Sequence, residues 1–339
     1  MGTSSDVNSL VQSGQIVWSQ SALTIGSGSF SAAVGSLDED RTYYYVAFME
    51  VLVGSTYKEV YGTVKSFHTL TASTVATLNR DWMEAPATPA SLGGNYLLTL
   101  RADMGGKNVR NYSILYDPSR YASLWTAYVL CEDHRGSGTG GSWRKNPMIP
   151  EEKQANVEHA YPSVDGVTYD RGHQIPNADR NGVNGMQAQT YYWTNSTPQI
   201  AAFNQGVWNT LENQVRAAVP SSDSLYVVTG PVYQTVGGSE TVRTLKNSSN
   251  DGKIVPIPNY YYKVILKVRR SGGEVTAASA IGFWFTHEAH SGEDWSSSTF
   301  VKSVDFIEEK TGFNFFANLP PGLEAAAEQN TNWKTFKNF

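Results

Sequence analysis

Tyr169-Asp170-Arg171-Gly172-His173 opens the stretch that decides how this chain is read, and Asn204-Gln205-Gly206-Val207-Trp208-Asn209-Thr210-Leu211-Glu212 closes it. Between them lies Thr194-Asn195-Ser196-Thr197-Pro198-Gln199. Singly, the pieces are weak signals, since a lone histidine is more often packed or solvated than catalytic. Their order says more. Arg171 and His173 are two residues apart, so on a strand both side chains leave by the same face. Asn204, Trp208 and Glu212 are spaced four and four, which aligns them on one side of a helix. Val207, Leu211, Val215 and Ala218 supply an apolar stripe for a helix over 204–219, which Pro220 stops.

These residue types suit one kind of chemistry. An imidazole near its free pKa can take a proton from water at neutral pH. A guanidinium beside it offers paired donors to the charged oxygens of a phosphate. Hard cations such as Mg²⁺ take oxygen ligands and keep several waters, so one amide oxygen can be a sufficient protein anchor. Asn204 at the helix start is also a good N-cap, and Glu212 alone would be a solvated carboxylate. Placed beneath a strand that carries Arg171 and His173, both read instead as parts of one site.

Working outward, the 339 residues are enough for two domains, and 40% hydrophobic with 12% aromatic residues is adequate for a packed core. The net charge is −5, and residues 1–75 hold three basic against six acidic side chains, leaving −2 for the rest. That balance gives no support for a basic nucleic-acid-gripping face; only a local patch would supply one. The single cysteine, Cys131, excludes an internal disulfide and a cysteine zinc site. No apolar run approaches ~18 residues, so no membrane span is expected. No signal-peptide pattern is visible at the N-terminus.

Residues 1–70 read as a small β module, with alternation at 29–34 and strands over 42–53 and 57–67. Residues 71–91, with Ala85-Pro86 and Thr88-Pro89, read as a linker. Strands follow at 111–116, 124–130, 225–230, 260–268 and 280–285, and helices at 304–312 and 322–329, mixed along the chain as in an α+β fold. Gly136–Gly141 reads as a flexible loop. In Thr286-His287-Glu288-Ala289-His290 the histidines are three apart, unlike the four of a zinc protease helix, so they read as surface polar residues.

Over residues 92–339 the motif trio resembles the DNA/RNA non-specific endonuclease family with its ββα-metal fold: a mixed or antiparallel central sheet flanked by helices. Leu37, Arg41, Tyr43, Tyr45 and Ala47 before Gly62–Phe67 resemble a fibronectin type III module, a spacer or platform whose ligand the sequence does not name. The nuclease resemblance implies that His173 activates water and Asn204 binds the metal directly. It implies that Glu212 orients metal-bound waters, Arg171 stabilises the pentacovalent phosphate and Asn195 helps hold the site. Mg²⁺ is the implied cofactor, with Mn²⁺ as its substitute. DNA and RNA are the implied substrates, and the products carry 5′-phosphates. The family's second arginine falls here at Gly141 or Ser142, so Arg144 or Arg135 is the candidate substitute. Domain company implies a secreted, periplasmic or cell-surface protein. Two rival readings are a catalytically weak nuclease-fold binding protein and a phosphodiesterase of smaller nucleotides.

Overall fold

The computed structural model describes residues 41–68, 82–220, 223–248 and 250–339. Among them no helix is long and apolar enough to cross a membrane. The chain divides into two units, Met1–Asp81 and Trp82–Phe339.

In the first unit β1 (Thr42–Tyr45) pairs antiparallel with β4 (Lys65–His68), and β2 (Phe48–Val53) with β3 (Thr56–Tyr61). The two runs expected as single strands are therefore each broken in two. Gly54, at φ 68°, opens the two-residue turn between β2 and β3, a conformation that suits a residue without Cβ. The alternating segment 29–34 lies outside the described residues, and the two strand pairs alone do not establish a fibronectin type III sandwich.

The second unit is α+β. Its centre is a seven-stranded antiparallel sheet of β5 (Tyr96–Met104), β6 (Lys107–Asp117), β7 (Ala122–Leu130), β10 (Leu225–Val232), β13 (Tyr260–Ser271), β14 (Glu274–Thr286) and β15 (Val301–Lys302), in the order β15-β14-β13-β10-β7-β6-β5. Two short pairs flank it, β8 (Tyr169–His173) with β9 (Ser196–Ile200) and β11 (Thr244–Lys246) with β12 (Ile254–Pro256). Both sheet faces are covered. Leu225 and Val227 of β10 join one cluster with Tyr128, Tyr261 and Trp208, whereas Tyr226 and Val228 join another with Trp125, Tyr262 and Phe315. Burial on both sides is why this strand reads as an unbroken apolar run instead of alternating. Residues 71–81 of the expected linker lie outside the described residues, but Met83 is buried in the second cluster and Glu84 pairs with Arg110 at 2.7 Å.

The helices are α1 (Asn184–Thr190), α2 (Ala201–Phe203), α3 (Asn209–Ala217), α4 (Val304–Thr311), α5 (Pro321–Ala327) and α6 (Trp333–Asn338). A π turn, Asn204–Trp208, joins α2 to α3, and Gly206 departs from helical values within it (φ −96°, ψ −111°). The helix expected to begin at Asn204 thus begins at Ala201, and Asn204 lies inside it. Its stripe of Val207, Leu211, Val215 and Ala218 is buried on the sheet. Ser303 caps α4 by accepting from the Phe306 N–H at 3.1 Å, and Gly312 ends it in the left-handed region.

One side chain of the main sheet and one just beyond β14 fix the β8–β9 pair in place. The Tyr261 hydroxyl donates to the Pro198 carbonyl at 3.1 Å and meets the Thr197 hydroxyl at 2.8 Å. His287 accepts from the Ile200 N–H through Nε2 at 2.7 Å, so its Nδ1 carries the proton and donates to the Pro258 carbonyl at 2.8 Å. It is not a surface residue as the sequence suggested. It is 7% exposed and closes off the end of β9.

Candidate active site

Arg171 and His173 both project from β8, with Pro198 and Ser196 opposite them on β9. Between them Gly172 faces the Gln199 side chain so closely that a Cβ would collide with it. Only glycine lets the two strands approach here.

The His173 ring is held between two aromatic rings. Trp143 lies 4.7 Å away and Tyr191 meets it edge-on at 5.1 Å. Nε2 is enclosed without a hydrogen-bond partner. Burial, and secondarily the Arg171 guanidinium, push the imidazole pKa down to about 4, so the ring is neutral at pH 7. Trp143 also underlies Arg171, whose guanidinium carbon is 5.6 Å from the indole centroid. Nη1 of Arg171 donates to the carbonyls of Val157 at 3.2 Å and Glu158 at 2.8 Å. The rest of its donor fork lies outside those two bonds.

Asn195 is fully buried. Its Oδ1 accepts from the Ile175 N–H at 3.0 Å, and its Nδ2 donates to the carbonyls of Ile175 at 3.0 Å and Thr190 at 2.8 Å. Its own carbonyl accepts from the Gln174 N–H at 2.9 Å. Asn195 therefore clamps the backbone that leaves His173.

Asn204 is half-buried, and its Nδ2 donates to Asp170 Oδ2 at 2.9 Å. Gln205 Nε2 donates to the same oxygen at 2.8 Å. A carboxylate only accepts, so Asp170 fixes which way the Asn204 amide faces and leaves its Oδ1 outside that bond. One strand thus carries Arg171, His173 and the anchor of Asn204. Further along, burial pushes the Glu212 carboxyl up to about 7, against the opposing pull of Lys263 and Arg216. Lys263 is 1% exposed, and its Nζ has no hydrogen-bond partner and lies 4.8 Å from the Trp208 ring centroid. Arg216 pairs with Asp179 at 2.9 Å, and Tyr128 donates to the other Asp179 oxygen at 2.9 Å.

The two arginines expected to replace a missing one are placed differently. Arg135 donates to Glu132 at 2.6 Å and to the Arg216 carbonyl at 3.3 Å. Arg144 is exposed, with its guanidinium 5.2 Å from the Tyr192 ring, while its neighbour Trp143 takes the place beside His173. The glycine run is pressed against its surroundings: a Cβ at Gly140 or Gly141 would come within 2.6 or 2.7 Å of Tyr191. Asp170 entered the sequence reading only as a member of the opening motif, and neither it nor Trp143, Tyr191, Lys263, Asp179 or Arg216 was given a role there. Only Arg216, four residues beyond Glu212, carried a local signal.

The model of the DNA/RNA non-specific endonuclease family matches residues 96–322. The chain belongs to this family. Among similar proteins, the nuclease of Serratia marcescens is 32% identical over 205 residues, 60% of this chain and 71% of that one. A nuclease of Nostoc is 28% identical over 253 residues, 73% of this chain and 82% of its own length. Human mitochondrial endonuclease G is 25% identical over 216 residues, 63% and 70%. The endonuclease family match spans every residue of the site described above, from Tyr128 to Lys263.

Proposed function

We propose that the unit Trp82–Phe339 is a metal-dependent endonuclease that hydrolyses phosphodiester bonds of DNA and RNA and leaves 5′-phosphates. The carrying observation is the β8 strand. It holds a neutral imidazole between two rings, a guanidinium beside it, and the carboxylate that orients Asn204. Family membership supplies the reaction class.

In this reading His173 takes a proton from the attacking water at Nδ1, because Nε2 is shut off from solvent. At about 4, below the near-free value expected from the sequence, the ring is unprotonated at neutral pH and able to accept, though proton transfer is favoured most by a base nearer the working pH. Arg171 spends one nitrogen on the Val157 and Glu158 carbonyls and directs its remaining donors to the phosphate oxygens. Asn195 keeps the His173 backbone in register. The donor set fits a hard divalent cation: Asn204 offers an amide oxygen aimed by Asp170, and Glu212 offers a carboxylate for waters of the ion. Mg²⁺ is the ion we infer, with Mn²⁺ as substitute; bound, it neutralises charge on the leaving 3′ oxygen. Lys263 and Arg216 oppose the burial of Glu212 and hold its carboxyl at about 7, so a share of it is ionised at neutral pH. Export to the envelope or the medium, and a docking role for residues 1–70, complete the reading.

Digestion of plasmid DNA and of RNA with Mg²⁺, with EDTA and with His173→Ala tests it. Cleavage of both polymers, lost with EDTA and reduced about 10²–10⁴-fold in the variant, is expected, with DNA binding nearly intact. Wild-type-like cleavage by His173→Ala would sink the mechanism. Binding without cleavage under any divalent metal would make this a nuclease-fold binding protein, and cleavage of small nucleotides alone a phosphodiesterase.

A further inference from the structure

On the second face of the sheet, three carboxylates meet where α4 packs against the end of α5. Ligand oxygens of Asp305, Glu308 and Glu328 all lie within 4.8 Å of one another. One ion with oxygen ligands at about 2.3–2.6 Å holds oxygens up to about 4.6–5.2 Å apart. The group is not simply an exposed acidic patch. Glu328 is 5% exposed, and its Oε1 is buried with no hydrogen-bond partner. The two other carboxylates are each tied down on one oxygen. Glu308 Oε1 accepts from the Phe315 N–H at 2.6 Å, and Asp305 Oδ2 accepts from Gln329 Nε2. Among the described residues no lysine or arginine pairs with any of the three; Lys310 is engaged by Glu309 and Lys302 by the Ser298 carbonyl.

We propose that Asp305, Glu308 and Glu328 form a second divalent-cation site, of the calcium class, that fastens α4 to the C-terminal segment. Three carboxylates favour calcium over magnesium, which binds through one or two carboxylates and dehydrates reluctantly. A buried carboxylate oxygen without a donor is costly, and an ion at the shared point satisfies it. The local electrostatics agree. Burial and the neighbouring charges of Glu308, Glu324 and Asp305 hold the Glu328 carboxyl up at about 8. Backbone geometry already joins the two segments, since the Val304 N–H donates to the Glu328 carbonyl at 2.9 Å. The cluster lies outside the nuclease machinery, and the proposal is independent of the reaction assigned there.

Calorimetric titration of the full chain with calcium chloride at pH 7.5, with melting temperatures in calcium and in EGTA, tests this. The parent is expected to show a calcium-binding event that Asp305→Asn and Glu328→Gln each weaken at least ten-fold. A calcium-dependent rise in Tm of a few degrees should disappear with it. Both variants should retain cleavage, which also reports that they fold. Should Glu328→Gln not fold, the exposed Asp305→Asn decides alone. An unchanged calcium titration and Tm rise in the variant, or no calcium effect on the parent, overturns the proposal. A stability change that follows pH but not calcium would mean that Glu328 shares a proton with a neighbour, and would overturn it equally.

Discussion

Asn195→Ala separates a clamp from a catalyst. The substitution removes three side-chain hydrogen bonds, of 2.8 to 3.0 Å, from a fully buried position. The Ile175 N–H and the carbonyls of Ile175 and Thr190 then lose their partners where water does not reach. At about 1 kcal/mol for each bond, with an added penalty for the stranded N–H, the loss is about 3–4 kcal/mol. Urea unfolding followed by tryptophan fluorescence measures it, as a lower midpoint with an unchanged slope. Cleavage should fall by about 10–100-fold, because His173 is no longer held in register. Asn195→Asp is the sharper control. It preserves the acceptor for Ile175 N–H but sets an oxygen against two carbonyls, so it should be less stable than the alanine variant. If Asn195→Ala unfolds within 1 kcal/mol of the parent yet cleaves as poorly as His173→Ala, Asn195 acts on substrate and the clamp is wrong.

Asn204→Ala should lose cleavage together with metal affinity, read by titrating Mg²⁺ into both assays; identical metal dependence in parent and variant would remove Asn204 from the ligand set. Lys263→Met removes a cation that lowers the pKa of Glu212. The acid limb of kcat/KM, expected near 7, should move to higher pH, and an unmoved limb would show that Lys263 does not govern Glu212. His134, His173 and His287 are each pushed by burial down to about 4 from an ordinary value near 6.5. The unfolded chain then binds more protons between those values, so stability is full above pH 6.5 and is lost as pH falls towards 4. Melting temperatures across pH 4–7 check this, and replacing His287 by glutamine should flatten part of the slope.

The strand pair Arg171 and His173 was legible because both lie on one short segment, and period-two spacing needs no tertiary information. The stripe of Val207, Leu211, Val215 and Ala218 was legible for the same reason. What escaped depends on distance along the chain. Asp170 means little until Asn204, 34 residues away, donates to it. His287 looked like a surface residue because the Ile200 N–H it accepts from lies 87 residues earlier. The pairing of Arg216 with Asp179, and Lys263 beneath Trp208, likewise join separate elements. The start of the helix was misplaced because a π turn hides the change of phase between α2 and α3. Asn195 was marked as part of the site, but its three backbone partners become visible only when the chain is folded.

That π turn has a further consequence for how such a site is tuned. A regular α-helix advances about 100° for each residue, so the direction of every side chain is tied to all the others. The kink at Gly206, whose φ of −96° and ψ of −111° lie outside the helical region, breaks that tie. The downstream segment can seat Leu211 and Val215 on the sheet at one fixed rotation, while the upstream segment turns Asn204 towards Asp170 at another. The helix thus behaves as two coupled parts, one seating the apolar stripe on the sheet and the other turning Asn204 towards Asp170.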